Sequence, residues 1–114
     1  MSDCLFCKII SGEIPADIVY QDDKMIAFKD IQPQAPVHVL VVPKEHIPTI
    51  MDVTENNSEL IGYLHMKVKE IAKSLGVAES GLRLVCNYGK DGDQIIQHIH
   101  FHLLGGRPLT WPPG

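Results

Sequence analysis

Near the C-terminus, residues His98–Leu104 alternate histidines with apolar residues, in the order His-Ile-His-Phe-His-Leu-Leu. Successive side chains of a β-strand point to opposite faces of the sheet, so the pattern predicts a strand with one apolar face and one histidine face. Three imidazoles pack poorly in a core, but they can act as nucleophile, general acid or base, or metal ligand. The segment therefore predicts a sheet that carries chemistry on one face.

Apolar runs elsewhere predict the other strands. Val37–Val42 is apolar at every position except His38, a pattern typical of a central strand buried on both faces. Shorter runs predict further strands at Ile18–Tyr20, Met25–Phe28 and Leu82–Asn87. Because only a polar turn separates the first two of these, they are expected to form a hairpin.

The remaining patterns predict helices and a loop. Apolar residues recur at helical spacing from Leu60 to Leu75, with Thr54 as the expected N-cap and Gly76 just past the end. A short helix or turn is expected at residues 4–10, and the glycine- and aspartate-rich residues 88–93 predict a loop. The predicted order along the chain is strands first, then one long helix, then more strands. This order indicates an α+β fold with an antiparallel sheet, in one domain spanning residues 1–114.

Composition excludes some classes of partner. The net charge of −4 gives no basic field for a nucleic-acid backbone. No apolar run reaches the roughly 18 residues that a membrane span needs. The chain begins Met1-Ser2-Asp3-Cys4 without a signal-peptide pattern, so we expect a cytoplasmic protein that binds neither nucleic acid nor membrane.

The histidine run supports two kinds of chemistry. Neighbouring histidines could converge on one metal ion, although the outer two lie about 13 Å apart along a strand. Alternatively, the middle histidine attacks phosphorus while its neighbours donate hydrogen bonds to phosphate oxygens. The preceding loop favours phosphorus chemistry, because Gly89 and Gly92 can expose backbone N–H groups to an anion and Asn87 adds an amide donor.

Cys4 and Cys7 form a C-x-x-C pair, and Cys86 stands alone. A redox pair is disfavoured because no βαβ pattern precedes it. A closed zinc site needs four ligands, and the available partners are His46 and one of the strand histidines. The alternative is two small buried thiols.

Three other residues are ambiguous when they are considered singly. A lone histidine in an apolar strand, such as His38, is usually a satisfied core residue, and Asp30 reads as a turn aspartate. Trp111, in a proline-flanked tail, is either disordered or an interface anchor.

Together these residues resemble the histidine-triad (HIT) superfamily of nucleotide-binding hydrolases and transferases. His98–Leu104 meets its signature His-φ-His-φ-His-φ-φ, where φ is apolar. Further segments resemble the Hint branch, which comprises purine nucleoside phosphoramidases: Glu13-Ile14-Pro15, Pro33–Pro36 with His38, Val42-Pro43-Lys44, Gly105-Gly106-Arg107 and the Trp-Pro-Pro-Gly end.

This resemblance implies a HIT-like fold, with a five-stranded antiparallel sheet, one long helix and a short N-terminal helix. It also implies a homodimer joined through the long helix and an edge strand into a ten-stranded sheet. The tail of each chain, with Trp111, would reach the active site of its partner. The ligand would be a purine nucleotide of the AMP or GMP type.

The resemblance also assigns residues. His100 would attack the α-phosphorus of a nucleoside 5′-phosphoramidate, while its Nδ1 proton is held by the backbone carbonyl of His98. His102 and His38 would contact the phosphate and the leaving group. Asp30 would accept the ribose hydroxyls, and Asn87 with the backbone of Gln94 and Ile95 would cradle the phosphate. The base would lie among apolar residues: Phe6, Ile9, Ile14, Phe28 and Ile31.

Zinc-binding relatives place their ligands at positions that correspond here to Cys4, Cys7, His46 and His98. Such a zinc ion would be structural, and the chemistry would need no cofactor. Two departures from the Hint pattern predict weaker phosphate binding: Asp93 stands where glycine is usual, and Ile95 where many members carry serine. A dinucleoside polyphosphate hydrolase, a nucleotide sensor or scaffold with incidental catalysis, and a metalloenzyme remain alternatives.

Overall fold

The computed structural model describes residues 3–114. The start of the chain at Met1 and Ser2, part of the pattern that predicts no signal peptide, lies outside these residues. Within them no helix is long and apolar enough to cross a membrane. The elements in chain order are α1 (Leu5–Ile10), β1 (Ile18–Gln21), β2 (Met25–Lys29), β3 (Val37–Pro43), a 3₁₀ turn (Ile50–Asp52), α2 (Ser58–Ser74), β4 (Leu82–Val85), α3 (Gly89–Gly92) and β5 (Phe101–Gly105).

The five strands form one sheet in the order β1-β2-β3-β5-β4, with every neighbouring pair antiparallel. The predicted α+β fold is confirmed, and β3 is the central strand, as its apolar run predicted. Its register pairs Val37 with Gly105 and Val41 with Phe101. The strand that carries His102, β5, therefore lies beside β3, which is buried from His38 to Pro43.

The two faces of the sheet are covered by different helices. On one face, Val39, Val41, Phe101 and Leu103 pack with the buried side of α2. On the other face Phe28, Leu40 and Val42 pack with Phe6 and Ile9 of α1. Alternation along β3 and β5 thus sends odd-numbered residues toward α2. The histidines at even positions face the side covered by α1.

The long helix begins later than predicted. The expectation that Thr54 is its N-cap is wrong, because the cap residue is Asn57 and the helix starts at Ser58. The Asn57 Oδ1 accepts the Thr54 N–H at 2.8 Å, and this hydrogen bond closes a turn ahead of the helix. At the other end Gly76 adopts a φ of 79° directly after Leu75, as expected for a residue past the C-terminus of a helix.

The predicted strand His98–Leu104 is also partly wrong, because β5 begins only at Phe101. Continuing the β3–β5 register would set Ile99 opposite Pro43, which has no N–H to donate. The Ile99 N–H instead donates to the Ile47 carbonyl at 2.6 Å. His98 and His100 therefore lie in an ordered segment that leads into the strand, and the alternation of faces continues through it.

The segment between β4 and β5 differs in two details from its prediction. The fourth strand ends at Val85 rather than Asn87, and the predicted loop contains the four-residue helix α3. Asp93 ends that helix with a φ of 62°, the one non-glycine residue of the described chain with a positive φ. The register of β4 against β5 pairs Val85 with His102, so its continuation brings Asn87 level with His100.

Candidate active site

A cavity of about 780 Å³ lies on the α1 side of the sheet and contains His100 and His102. Phe28 and Asp30 line it at the β2 end, Leu40 at β3, and Asn87 beyond β5. Its apolar lining includes five of the residues predicted to hold a base: Phe6, Ile9, Ile14, Phe28 and Ile31. A second, more open cavity of similar volume lies between Lys44 and α2 and holds no histidine.

His100 is 8% exposed, and its ring meets the Phe6 ring edge-on with centroids 5.0 Å apart. Its Nδ1 lies 2.8 Å from the His98 carbonyl oxygen. A carbonyl can only accept, so the proton of the neutral ring is on Nδ1, and Nε2 carries a lone pair. That Nε2 has no hydrogen-bond partner within residues 3–114 and is free to act as a nucleophile.

His102 presents the opposite polarity, because a chain of hydrogen bonds fixes its tautomer. The Gln34 N–H donates to His38 Nδ1 at 3.0 Å, which leaves the proton of His38 on Nε2. His38 Nε2 then donates to His102 Nδ1 at 2.9 Å. His102 consequently carries its own proton on Nε2, so the cavity contains one imidazole acceptor and one imidazole donor.

His38 does not line the cavity, which differs from the expectation that it contacts the phosphate. It is buried behind His102, with its Nε2 3.4 Å from the Asp30 Oδ2. Asp30, His38 and His102 lie close enough together to suggest a metal site. However, the Nδ1 of His38 is occupied by the Gln34 N–H, so its Nε2 must keep the proton that a metal ion would displace. His38 and His102 are therefore joined by a hydrogen bond, and the Asp30 carboxylate lies beside the shared Nε2–H.

Burial keeps the histidines of the site uncharged. Desolvation lowers the pKa of His38, although the neighbouring Asp30 carboxylate partly raises it. Desolvation lowers the pKa of His102 to about 4, with further lowering from His100 and His38. Desolvation also lowers the pKa of His100, although its hydrogen bond to the His98 carbonyl partly raises it. The free protein thus holds neutral imidazoles near pH 7.

The end of the cavity next to β2 carries Asp30 and an apolar slot. The Asp30 Oδ1 accepts the Gln32 N–H at 2.8 Å, and this hydrogen bond fixes the orientation of the carboxylate. Ile31, immediately after it, is 94% exposed at the rim. A flat heterocycle in the slot would cover this isoleucine.

Besides His38 and His98, the predicted site residues Gln94 and Trp111 do not line the cavity. The Gln94 N–H donates to the Gly89 carbonyl, and its side-chain amide donates to the Pro48 and Ile96 carbonyls. Gln94 therefore secures the loop instead of offering its N–H to a phosphate. Trp111 is 80% exposed, with its ring 5.9 Å from the Arg83 guanidinium, outside the cavity of its own chain.

Sequence reasoning missed several lining residues and two main-chain groups. Leu40 and Ile96 line the cavity. Leu40 shares a strand face with His38 two residues away, a signal that the sequence did contain. No sequence pattern indicated that the Pro43 carbonyl and the Gln34 N–H would fix histidine tautomers, because those contacts depend on tertiary packing.

Four potential metal ligands meet where α1 begins. Each of Cys4, Cys7, His46 and His98 offers one ligand atom within 4.8 Å of the others. His98 Nδ1 is 3.5 Å from the Cys4 Sγ and 3.1 Å from the His46 Nδ1, and Cys7 Sγ is 3.3 Å from the His46 Nδ1. Tetrahedral zinc with its usual bond lengths would separate such ligands by about 3.3–3.8 Å, so the cluster fits a zinc ion.

The tautomer of His98 supports that fit. Its Nε2 donates to the Pro43 carbonyl at 2.8 Å, so Nδ1 has its lone pair directed into the cluster. Burial raises the pKa of Cys7, with further contributions from Cys4. Two neighbouring thiols and two imidazole nitrogens form a donor set that zinc prefers.

Comparison with known proteins agrees with this fold and site. Residues 11–109 match the HIT domain family. An uncharacterized HIT-like protein of Synechococcus elongatus is 53% identical over 112 residues, which cover 98% of this chain and 97% of the relative. The crystal structure of a HIT family hydrolase from Legionella pneumophila superimposes with a TM-score of 0.96 at 53% identity, covering 98% of this chain and 100% of that one.

The fold and histidine arrangement define a histidine-triad protein, and the chain belongs to the HIT domain family. A histidine triad nucleotide-binding protein from Candida albicans is a more distant structural neighbour. It is 33% identical with a TM-score of 0.82, over 96% of this chain and 83% of that one.

Proposed function

We propose that this protein hydrolyses purine nucleoside 5′-phosphoramidates through a covalent nucleotidyl-histidine intermediate on His100. The observation that carries the proposal is the unprotonated Nε2 of His100, which faces the cavity while Nδ1 is bonded to the His98 carbonyl. The hydrolase from Legionella pneumophila and the nucleotide-binding protein from Candida albicans are consistent with this class of activity.

In the first step, the Nε2 lone pair of His100 attacks the α-phosphorus, and the P–N bond of the substrate breaks. The departing nitrogen carries its proton when the phosphoramidate binds in its N-protonated form, so the amine leaves neutral. His102 stays neutral because its Nδ1 accepts from His38, and its Nε2–H donates a hydrogen bond to a phosphate oxygen.

In the second step, water attacks the same phosphorus and the bond to His100 Nε2 breaks. The water loses its proton to solvent. The nucleotide leaves as a phosphate monoester, and both histidines keep the protonation states they had in the free protein. The proposal needs no metal, since an imidazole supplies the nucleophile.

The nucleoside would occupy the β2 end of the cavity. Asp30 would accept the ribose hydroxyls, and the base would lie in the apolar slot lined by Phe28 and Ile31. Stacking and apolar contact distinguish purines only modestly, so we expect both adenosine and guanosine substrates to react. Asn87, level with His100, would donate to a phosphate oxygen.

The decisive experiment compares the turnover of adenosine 5′-phosphoramidate with that of diadenosine triphosphate. We expect the phosphoramidate to be preferred, and His100→Ala to lose at least about 1,000-fold in kcat. Protein quenched in base, where the P–N bond to histidine survives, should gain the mass of one adenylyl group, carried by the peptide that contains His100. His65→Gln is the matched control, since that histidine lies on α2 outside the cavity.

Preferential turnover of diadenosine triphosphate would show that the substrates are dinucleoside polyphosphates and not phosphoramidates. Full activity in His100→Ala would show that His100 is not the nucleophile. Binding of AMP without turnover of either compound would instead favour a nucleotide sensor.

We also propose that Cys4, Cys7, His46 and His98 bind a structural zinc ion. When bound, the ion would tie α1 to the segment that carries His98, and thereby stabilise the carbonyl that holds His100. The interatomic distances within the cluster and the tautomer of His98 support this proposal. Zinc–thiolate ligation needs reduced cysteines, so we propose the cytoplasm as the compartment.

Metal analysis of the purified protein tests the zinc proposal. We expect zinc in equimolar amount, and a melting temperature lowered by at least about 10 °C after chelation. Cys7→Ser should lose the metal, whereas Cys86→Ser should retain it because Cys86 lies outside the cluster. A chelated protein of unchanged stability and no activity would identify a catalytic metal instead.

A further inference from the structure

We propose that Asp93 selects phosphoramidates whose leaving amine carries a second, cationic group. This inference rests on the proposed function and names the substrate class of the same site. Asp93 lines the cavity together with Asn87 and His100. Within residues 3–114 its carboxylate forms no hydrogen bond or ion pair, so it is available to a ligand.

Burial and the geometry of displacement place the leaving group near Asp93. His100 is 8% exposed, deep in the cavity, whereas Asp93 lines the cavity at an exposed position in the segment that joins β4 to β5. The attacking and leaving atoms lie roughly in line on opposite sides of the phosphorus. An amine leaving a phosphorus at His100 therefore points away from His100, toward the open end of the cavity that carries Asp93.

The charge distribution favours a cation at that end. Among the described lining residues the one lysine or arginine is Lys29, which lies at the β2 end 3.6 Å from Asp17. No lysine or arginine of the described chain forms an ion pair with Asp93, and Lys90, three residues before it, does not line the cavity. A polyphosphate leaving group would meet like charge, whereas an ammonium group a few ångströms beyond the scissile nitrogen would meet an opposite one.

The test uses two adenosine 5′-phosphoramidates with leaving amines of equal length. One amine ends in an ammonium group, from a linear diamine, and the other ends in a methyl group. An exposed ion pair predicts that kcat/KM is about 5-fold higher for the ammonium substrate at low salt. The preference should shrink at 0.5 M salt because the charges are screened to within about 4 Å.

Asp93→Asn keeps the shape of the side chain and tolerates the positive φ. It should reduce the ratio of the two kcat/KM values to about 1. It should also raise the rate with the neutral substrate, because a negative charge near the phosphate is removed. Asp91→Asn is the matched control: it removes a charge two residues away on α3, outside the cavity lining, and should preserve the ratio.

Failure of this inference is separable from failure of the proposed function. Turnover of unsubstituted adenosine 5′-phosphoramidate reports the function alone. Binding of both longer substrates to His100→Ala, measured by calorimetry, reports the charge preference without any turnover. Equal dissociation constants together with equal kcat/KM values would overturn the role of Asp93, as would an unchanged preference in Asp93→Asn.

Discussion

His98, His100 and His102 have the same side chain and three different surroundings. His98 donates to the Pro43 carbonyl, His100 to the His98 carbonyl, and His102 accepts from His38. Each contact fixes the proton on a particular nitrogen, so neighbouring imidazoles differ in polarity. The proposed roles of His100 as nucleophile and His102 as hydrogen-bond donor follow from these contacts.

The pKa of His102 predicts how stability depends on pH. Its folded pKa of about 4 lies below the ordinary 6.5, so between these values the unfolded state binds more protons. His100, His38 and Asp30 are the titratable groups that face it. The free energy of unfolding should therefore fall as pH decreases from 6.5 toward 4. Between pH 7 and pH 5, His102→Asn should lose about 1–2 kcal/mol less unfolding free energy than the wild type.

Urea denaturation of both proteins at pH 7 and pH 5 measures this difference. An equal loss of unfolding free energy in wild type and His102→Asn would show that His102 is not the neutral group inferred from its burial.

Ile95 is 77% exposed at the rim of the cavity, where its side chain offers no donor to a phosphate. A serine hydroxyl there would add a hydrogen bond to a charged oxygen. We expect Ile95→Ser to raise kcat/KM on adenosine 5′-phosphoramidate about 5-fold. The same change at the nucleoside end, Ile31→Ser, should instead raise KM by exposing the base slot. A fall in kcat/KM for Ile95→Ser would contradict the placement of phosphate beside it.

At the scale of elements, the sequence predicted β1, β2, β3 and α2 because each has enough apolar residues for its periodicity to be visible. Boundaries that depend on tertiary contacts were predicted less well. The start of β5 depends on Pro43 in a different strand, and the start of α2 depends on the side chain of Asn57. Histidine alternation did predict the shared face of His100 and His102, because it persists beyond the hydrogen-bonded ladder.

The β1–β2 turn is joined to α2 by Asp22, which accepts hydrogen bonds from the Tyr20 and Tyr63 hydroxyls. Partial burial raises the pKa of Asp22, but these hydroxyls and the N–H groups of Lys24 and Met25 outweigh it and lower the pKa to about 2. The folded value lies below the ordinary 3.8, so this stabilisation is present above pH 4 and is lost as pH falls toward 2.

Tyr63→Phe removes one of these hydrogen bonds to a charged acceptor. We expect a loss of about 1.5 kcal/mol of unfolding free energy at pH 7, and a smaller loss at pH 2.5, where Asp22 begins to be protonated. Thermal denaturation at the two pH values provides the measurement. Tyr88→Phe is the control, because the Tyr88 hydroxyl has no partner in the part of the chain that the structure describes. A loss that does not change with pH would show that the effect of Tyr63 is packing alone.

At the scale of the whole molecule, we propose a homodimer of one-domain chains joined through α2 and β4. β4 is an edge strand, and the outer surface of α2 exposes Met66 at 66% and Gly62. An unpaired edge strand and an exposed methionine on a helix are typical of a surface that another chain covers. Trp111 lies outside the cavity of its own chain, as expected if it serves the partner.

Met66→Glu should therefore shift the protein toward monomer in light-scattering chromatography and lower the phosphoramidase activity with it. A buried charge without a partner costs several kcal/mol, enough to weaken the dimer by at least about 100-fold. Met51→Glu is the matched control, because Met51 is 68% exposed on the 3₁₀ turn, away from α2 and β4. A wild-type protein that elutes as monomer would rule out this assembly.

Main-chain atoms set the histidine polarities: the His98 and Pro43 carbonyls act directly, and the Gln34 N–H acts through His38. Nearly any side chain can be exchanged around the cavity without altering them. Substitutions at rim residues such as Ile95 can therefore change the substrate preference of such a protein, while the backbone keeps each proton on the same nitrogen. New specificities can arise in this fold without a change in the reactive centre.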